Sequence, residues 1–371
     1  MNGKNVMGLI YSNSYDTCLP ELAAMRAMGS VPFGGRYRLI DFALSNMVNS
    51  GITKVGVITN AKYRSLLDHV GQGKPWDLSR KDSGLSFLPP FDGNAPTGSG
   101  QRLSSILINK SYISSAREEF VVLTDCNVVG NIDLSKIIDF HIAKNADITF
   151  AYVNGKAPKL WNKLVYSTDA EGKITSMQMH TGSDETLSYS ANISVMRKSL
   201  MEQFLNEAEA RNYESFESDI FMPKVGKLNM YGYELTGFTG TIDSFVSYYN
   251  LNMMLLDENV RADLFNASRP ILTKVRDDCP TIYKTGNKVA NSIVSDGCYI
   301  AGTVNNCIIS RGVTIEEGAV VTNSVIMQGA VIKAGANLNC VILDKDVVVG
   351  AGRKLSGAPD YPFFVGKGIS V

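Results

Sequence analysis

The sequence lacks any excess of charge: 36 Lys and Arg are matched by 36 Asp and Glu in 371 residues. A neutral balance gives no bulk attraction to nucleic acid or to an acidic membrane surface, so neither partner is expected. It also lacks a long apolar run; none approaches the roughly 20 residues that a membrane-crossing helix needs. The opening MNGKNVMGLIY carries neither the charged start and apolar core of a secretory signal nor a cleavage site. The six cysteines, Cys18, Cys126, Cys279, Cys298, Cys307 and Cys340, form no C-x-x-C pair and no finger spacing. Free buried thiols in a reducing cytoplasm are the expectation. Histidine is scarce too, with only His69, His141 and His180 available.

A further absence is local. Val6–Leu22 reads VMGLIYSNSYDTCLPEL, an apolar run followed by a polar loop. A nucleotide-binding fold would place its phosphate loop here, yet the loop has no glycine and no basic residue.

What is present divides into two parts. Apolar residues make up 44% and charged residues 19% of the chain, enough for a substantial core in two ordinary domains or one large one with an addition. Up to residue 255, VMGLIYS, KVGVITN, FVVLTDC and DITFAYV read as buried strands. RLIDFALSNMVNSG and LSKIIDFHIAKNA carry apolar residues at helical spacing between them. This alternation predicts an α/β layer with a mostly parallel sheet. Ligands of such sheets sit at the carboxyl ends of the strands, here after Tyr11, Thr59 and Thr124.

In the second part, residues 256–371, the grammar changes after a linker. Ile308, Val325 and Ile342 recur every 17 residues, as do Ile315, Ile332 and Val349, and Gly318, Gly335 and Gly352. A fixed period with aliphatic residues and corner glycines predicts a β-solenoid, here a left-handed parallel β-helix. NSIVSDGCYIAG reads as a shorter preceding coil. Many such solenoids are acyltransferases that use a histidine, but none of the three histidines lies in the repeats. A solenoid that leaves an open end suits assembly, or else serves as a passive cap.

Val31–Asn60, VPFGGRYRLIDFALSNMVNSGITKVGVITN, closely resembles the bacterial ADP-glucose pyrophosphorylase (glucose-1-phosphate adenylyltransferase) family through its F-G-G-x-Y/F-R-x-I-D-F-x-L-S-N block. The resemblance implies a Rossmann-like nucleotidyltransferase domain followed by the β-helix. Its chemistry is attack by a sugar phosphate on the α-phosphorus of ATP, with release of pyrophosphate. Donors must hold the triphosphate, cations must neutralise developing charge, and carboxylates must hold magnesium.

Set against that family, this chain departs at each requirement. The family's phosphate-loop glycines fall on Asn13, Ser14 and Asp16 and its arginine on Cys18, with Thr17 and Leu19 matching. Asp16 sets a negative charge where phosphates should lie. Met28 replaces the lysine of R-A-K-P, and Asn127 and Phe238 stand at the two metal aspartates, with Gly237 at the arginine before the second. Asn127 offers a metal its amide oxygen without the charge. Asp125 could substitute through a register change, whereas Asp243 reads as a solvated or capping residue. The sugar-site E-K-P becomes Met179, His180 and Thr181; His180 could meet a phosphate when protonated or serve structurally.

The combination resembles the GlgD-type subunit found beside a catalytic GlgC-type subunit. It implies a chain with little or no activity alone, needing no cofactor itself, with Mg2+ in the catalytic partner. The implied assembly is a hetero-oligomer, usually a tetramer, in ADP-glucose synthesis for glycogen; self-association without a partner is also open. Arg26, Arg38 and Arg311 match positions that bind sugar-phosphate effectors in the family, and otherwise serve as ion-pair residues. Two other readings stay open: an active enzyme with displaced metal ligands, Asp125 above all, and a scaffold that senses a sugar nucleotide. Lys62, Arg64, His69 and Lys74, with Tyr63 and Trp76, read as a solvated helix and loop or as a contact surface. The Gly- and Pro-rich stretch 81–100 reads as a lid or an interface loop.

Overall fold

The run Val6–Tyr11 is buried at all six positions and forms the central strand of the first part. It pairs in parallel with Lys54–Ile58 on one side and Phe120–Asp125 on the other, and Gly84–Leu88 extends the sheet beyond Lys54–Ile58. Unbroken apolar runs are what a strand covered on both faces requires. This computed structural model describes residues 3–13, 16, 19–60, 62–89, 102–156, 163–180 and 185–371. No helix among them is long and apolar enough to cross a membrane.

Helices cover the sheet as the spacing predicts. Leu39–Asn49 starts where the Asp41 carboxylate accepts from the Arg38 backbone N–H at 2.9 Å, and it ends before Gly51 at φ 76°. Leu134–Ala143 is capped by the Asp133 carboxylate, which accepts from Ser135 N–H at 3.1 Å. Both satisfy backbone donors that a helix start leaves unpaired.

The second half of the sheet turns antiparallel. Thr186–Arg197 runs against both Phe120–Asp125 and Ile148–Lys156, with a bulge between Ser190 and Ile193. Lys163–Thr168 and Ile174–His180 form a hairpin beyond it. In the connecting turn, Asp169 Oδ1 accepts from the N–H groups of Glu171 and Lys173, and Gly172 takes φ 82°. That tight turn returns the chain directly, so no crossover helix is needed. A small separate hairpin pairs Val128–Gly130 with Thr239–Thr241.

From Ile282 onward the chain winds into three parallel five-stranded sheets, consistent with a left-handed β-helix. Ile308, Val325 and Ile342 stack in register, and the shorter first coil pairs Ile293 with Ile308. Gly318, Gly335 and Gly352 sit at φ 73°, 69° and 67°. At another corner Asn291, Asn306 and Asn323 adopt left-handed backbone, which asparagine tolerates best after glycine. Their side chains form a ladder: Asn291 donates to Asn306 at 2.7 Å, Asn306 to Asn323 at 3.3 Å, and Asn323 to Asn339 at 2.9 Å.

The two parts share one apolar cluster. Leu19, Met28, Phe33 and Leu251 from the first pack with Ile308, Val325 and Ile342 of the solenoid. Gly34 and Gly35 take φ 57° and 82°, and a Cβ on Gly35 would stand 2.7 Å from Ser295 Oγ, so the F-G-G turn lets the backbone lie against the solenoid. The Arg26 guanidinium clamps both Asp344 oxygens at 2.9 and 2.7 Å in a buried fork-to-fork pair. Five of the cysteines, all but Cys18, which lies outside the described residues, are free thiols, and of these only Cys279 is exposed.

Candidate functional site

The loop after Val6–Tyr11 lies at the carboxyl end of the sheet, and the polar groups of its described residues Asn13 and Asp16 are engaged with each other and with nearby backbone. Asn13 Oδ1 accepts from the Asn60 backbone N–H at 2.7 Å, and Asn13 Nδ2 donates to Asp16 Oδ2 at 2.7 Å. Asp16 Oδ1 accepts from the Met28 N–H at 2.8 Å. Burial pushes the Asp16 carboxyl up to about 6 against the pull of these hydrogen bonds and of Lys62. Ser14 and Cys18 lie outside the described residues. Met28 is fully buried in the apolar cluster at the junction.

At the next strand end, Asn127 is fully buried with both ends of its amide in use. Its Nδ2 donates to Ile242 O at 3.2 Å, and its Oδ1 accepts from Asn192 Nδ2 at 3.3 Å. Asp125 meets Arg102, whose Nη1 is 3.4 Å from both carboxylate oxygens and whose Nη2 binds Glu217. Phe238 is half-buried against the junction cluster, and its backbone N–H donates to Asp263.

Asp243 is neither solvated nor the cap. It is fully buried, Ser244 caps the Phe245–Met254 helix, and Lys163 Nζ lies 3.3 Å from Asp243 Oδ2. Its backbone N–H donates to Ser247 Oγ as part of the helix start, which turns the carboxylate inward. Magnesium wants several hard oxygens with negative charge among them. An asparagine already hydrogen-bonded, a phenylalanine and a lysine ammonium do not fit that ion. Among the described residues no group of three or more His, Cys, Asp or Glu could hold a metal.

On the sugar side, Met179 is exposed and His180 half-buried at the end of its strand, while Thr181 lies outside the described residues. A space of about 240 Å³ remains, with Arg102, Tyr166, Ser190, Asn192 and Glu217 in its lining. Asn192, at φ 54° in the bulge, reaches from it to Asn127.

A larger cluster of positive charge lies elsewhere, at the junction. An open pocket there, about 420 Å³ with the solvent at its mouth, is lined by Arg36, Arg38, Lys274, Arg276, Arg311 and Lys345, together with His69, and among the described residues by no carboxylate. Arg38 donates to Ser65 O at 2.6 Å and to Ser65 Oγ at 2.9 Å, and burial pushes it down to about 10. Arg311 Nε is 3.6 Å from Asp278, and burial lowers its pKa as well. Burial and the charges of Arg38 and Arg26 push Lys345 down to about 7. Arg26 itself does not line the cavity; it is held by Asp344, the neighbour of Lys345. The structure thus brings Arg38 and Arg311 together and puts Arg26 behind them.

Comparison with known proteins agrees with both parts. Residues 17–247 match the nucleotidyl transferase family model, and residues 281–359 match the GlmU-like C-terminal hexapeptide model. The glycogen biosynthesis protein GlgD of Geobacillus stearothermophilus is 38% identical over 99% of this chain and 97% of its own length. The chain belongs to the glucose-1-phosphate adenylyltransferase family. Its likeness extends to the GlgD of Bacillus subtilis, 31% identical over 86% of this chain and 83% of that protein. A glucose-1-phosphate adenylyltransferase of Pseudothermotoga lettingae is 32% identical over 86% of this chain and 76% of its own length.

For a glucose-1-phosphate adenylyltransferase relative, several residues at these sites had no signal of their own. Arg36 lies inside the F-G-G block, but Lys274 and Arg276 belong to an extended linker whose position only the fold reveals. His69 and Trp76 lie in a segment read as a solvated surface or a contact. Both are buried: His69 Nε2 is 2.6 Å from Asp41 Oδ1, and Trp76 Nε1 donates to Ser45 Oγ at 3.3 Å. Leu66 and Val70 of the Arg64–Val70 helix join the core and bring His69 inward with them, and Trp76 packs into the same cluster from the following turn. Of the stretch 81–100, Gly84–Leu88 is an edge strand and residues 90–100 lie outside the described residues.

Proposed function

We propose that this chain is a GlgD-type subunit of glucose-1-phosphate adenylyltransferase in glycogen synthesis, catalytically silent or nearly so, that modulates a GlgC-type partner through an anionic effector. The single observation that carries this reading is the redistribution of charge. The cleft has exchanged its metal carboxylates for Asn127 and Phe238, while six cations line the junction cavity. Arginine forks and lysines lining this pocket suit a phosphate ester, with guanidinium groups taking oxygens in pairs. A phosphate ester is the fitting class by charge, and a sugar phosphate is the member that the family resemblance suggests. In-line transfer depends on electrostatic stabilisation, and removal of a single such group commonly costs about 10²–10³-fold in rate. Here several are absent together.

The experiment has two arms. Full-length chain alone is assayed for pyrophosphate release from ATP and glucose 1-phosphate with Mg2+; turnover at the rate of an active relative ends the reading. The chain is then mixed with a catalytic relative and the apparent effector affinity measured. Arg38→Ala with Arg311→Ala should weaken activation of the mixture by at least about tenfold, since hydrogen bonds to charged groups contribute about 1.5–3 kcal/mol each.

A further inference from the structure

A buried positive charge sits against residues 241–243, which follow Phe238 at the second metal position and hold Asn127 at the first through Ile242. Lys163 opens the Lys163–Thr168 strand, and its side chain is 1% exposed. Its Nζ donates to Thr241 Oγ1 at 3.1 Å, lies 3.3 Å from Asp243 Oδ2 and stands 5.8 Å from the centre of the Tyr189 ring. Asp243 is fully buried, and its Oδ1 has no hydrogen-bond partner among the described residues. Asn127, at the first metal position, is tied to the same three-residue segment through Ile242 O. An ammonium, a carboxylate, a hydroxyl and an amide therefore meet around residues 241–243.

Neither charge tolerates burial alone, since an unpaired buried ion is strongly disfavoured. The pair is nevertheless loose: 3.3 Å is long for a charge-assisted bond, and one carboxylate oxygen is left over. The oxygens gathered here, from Asp243 and Thr241, are hard donors of the kind that small divalent cations accept, while Asn127 turns its amide nitrogen to this segment and its oxygen to Asn192. We infer that the Lys163 ammonium is a tethered cation seated in a latent divalent-metal position, so that this cleft carries its own positive charge and excludes a diffusible ion. The inference rests on the reading of the cleft as inactive, but its test does not use turnover.

Mn2+ binding to the intact chain is followed by electron paramagnetic resonance, and melting temperature is recorded with and without Mn2+. Wild type should show no Mn2+-dependent rise in melting temperature. Lys163→Ala, which opens room for a hydrated ion, should gain one Mn2+ site at least about tenfold tighter than any in wild type and a matching rise in melting temperature. Adding Asp243→Asn to that variant should abolish both gains. Lys163→Gln is run alongside, because it keeps much of the stem and removes only the charge. Two results overturn the inference: a folded Lys163→Ala chain with no gain, or equal Mn2+ binding by wild type. Failure of both variants to fold even in excess Mn2+ overturns it as well, because a metal seat would then have been refilled. Pyrophosphate release by wild type alone would instead strike the functional reading, so the two failures remain distinct.

Discussion

Under the effector reading proposed above, Lys345 should make anion capture at the junction a proton-linked event. Its ammonium is pushed down to about 7 by burial and by Arg38 and Arg26. An anion placed among the six cations cancels part of that repulsion and draws the proton back. Affinity then scales with the protonated fraction of Lys345, which falls from about one half at pH 7 to about 3% at pH 8.5, a loss of roughly tenfold to twentyfold. Calorimetric titration of the full chain with sulfate tests this, because sulfate keeps its double charge throughout, whereas a phosphate ester titrates near pH 6. Comparing buffers of different ionisation enthalpy should reveal uptake of nearly one proton per anion at pH 8. Lys345→Arg should keep the affinity and flatten the profile, and Lys345→Gln should weaken binding and flatten it. A profile unchanged by Lys345→Gln, or binding without proton uptake, refutes the reasoning. Stability carries the opposite sign. The unfolded lysine holds its proton up to its ordinary range near 10.4, so this group makes the fold more stable as pH rises from about 7 to 10.

The other predictions are independent of this one. Arg26→Ala should destabilise the chain by about 3–5 kcal/mol in urea melts, because it strands a buried Asp344, whereas Arg26→Met with Asp344→Leu should recover most of that loss. Asp16 adds stability below its ordinary carboxyl range near 3.8 that is lost as pH rises through about 6, so Asp16→Asn should flatten the pH dependence of melting between pH 4 and 7. Asn323→Ala should cost about 1–3 kcal/mol, since it removes two rungs of the ladder and leaves a non-glycine residue in left-handed backbone.

How much was legible in the chain varies with the reach of each signal. The aliphatic positions at Ile308, Val325 and Ile342 predicted the solenoid because a parallel stack repeats its register at every coil. The buried runs at Val6, Lys54 and Phe120 predicted the parallel half of the sheet. The antiparallel half was not foreseen, since a local turn at Asp169–Gly172 and one bulge decide it, and neither carries periodicity. The losses at Asn127 and Phe238 could be read residue by residue against the F-G-G block. Lys163 could not, because a single lysine at a strand start has no spacing to mark it, and its partner Asp243 is 80 residues away. Lys274, Arg276 and Lys345 were equally silent, for their meaning lies in where the linker and the last coils fold back.

The apolar cluster that joins Phe33 and Leu251 to Ile308, Val325 and Ile342 of the stack has a consequence for how this protein comes apart. Heat or urea should melt both regions in a single step, and a truncation before Ile282 would strip away one wall of the interior and leave greasy side chains facing water. The β-helix is therefore no interchangeable cassette: a foreign one could be grafted on only with Phe33, Leu251 and their neighbours recut to match.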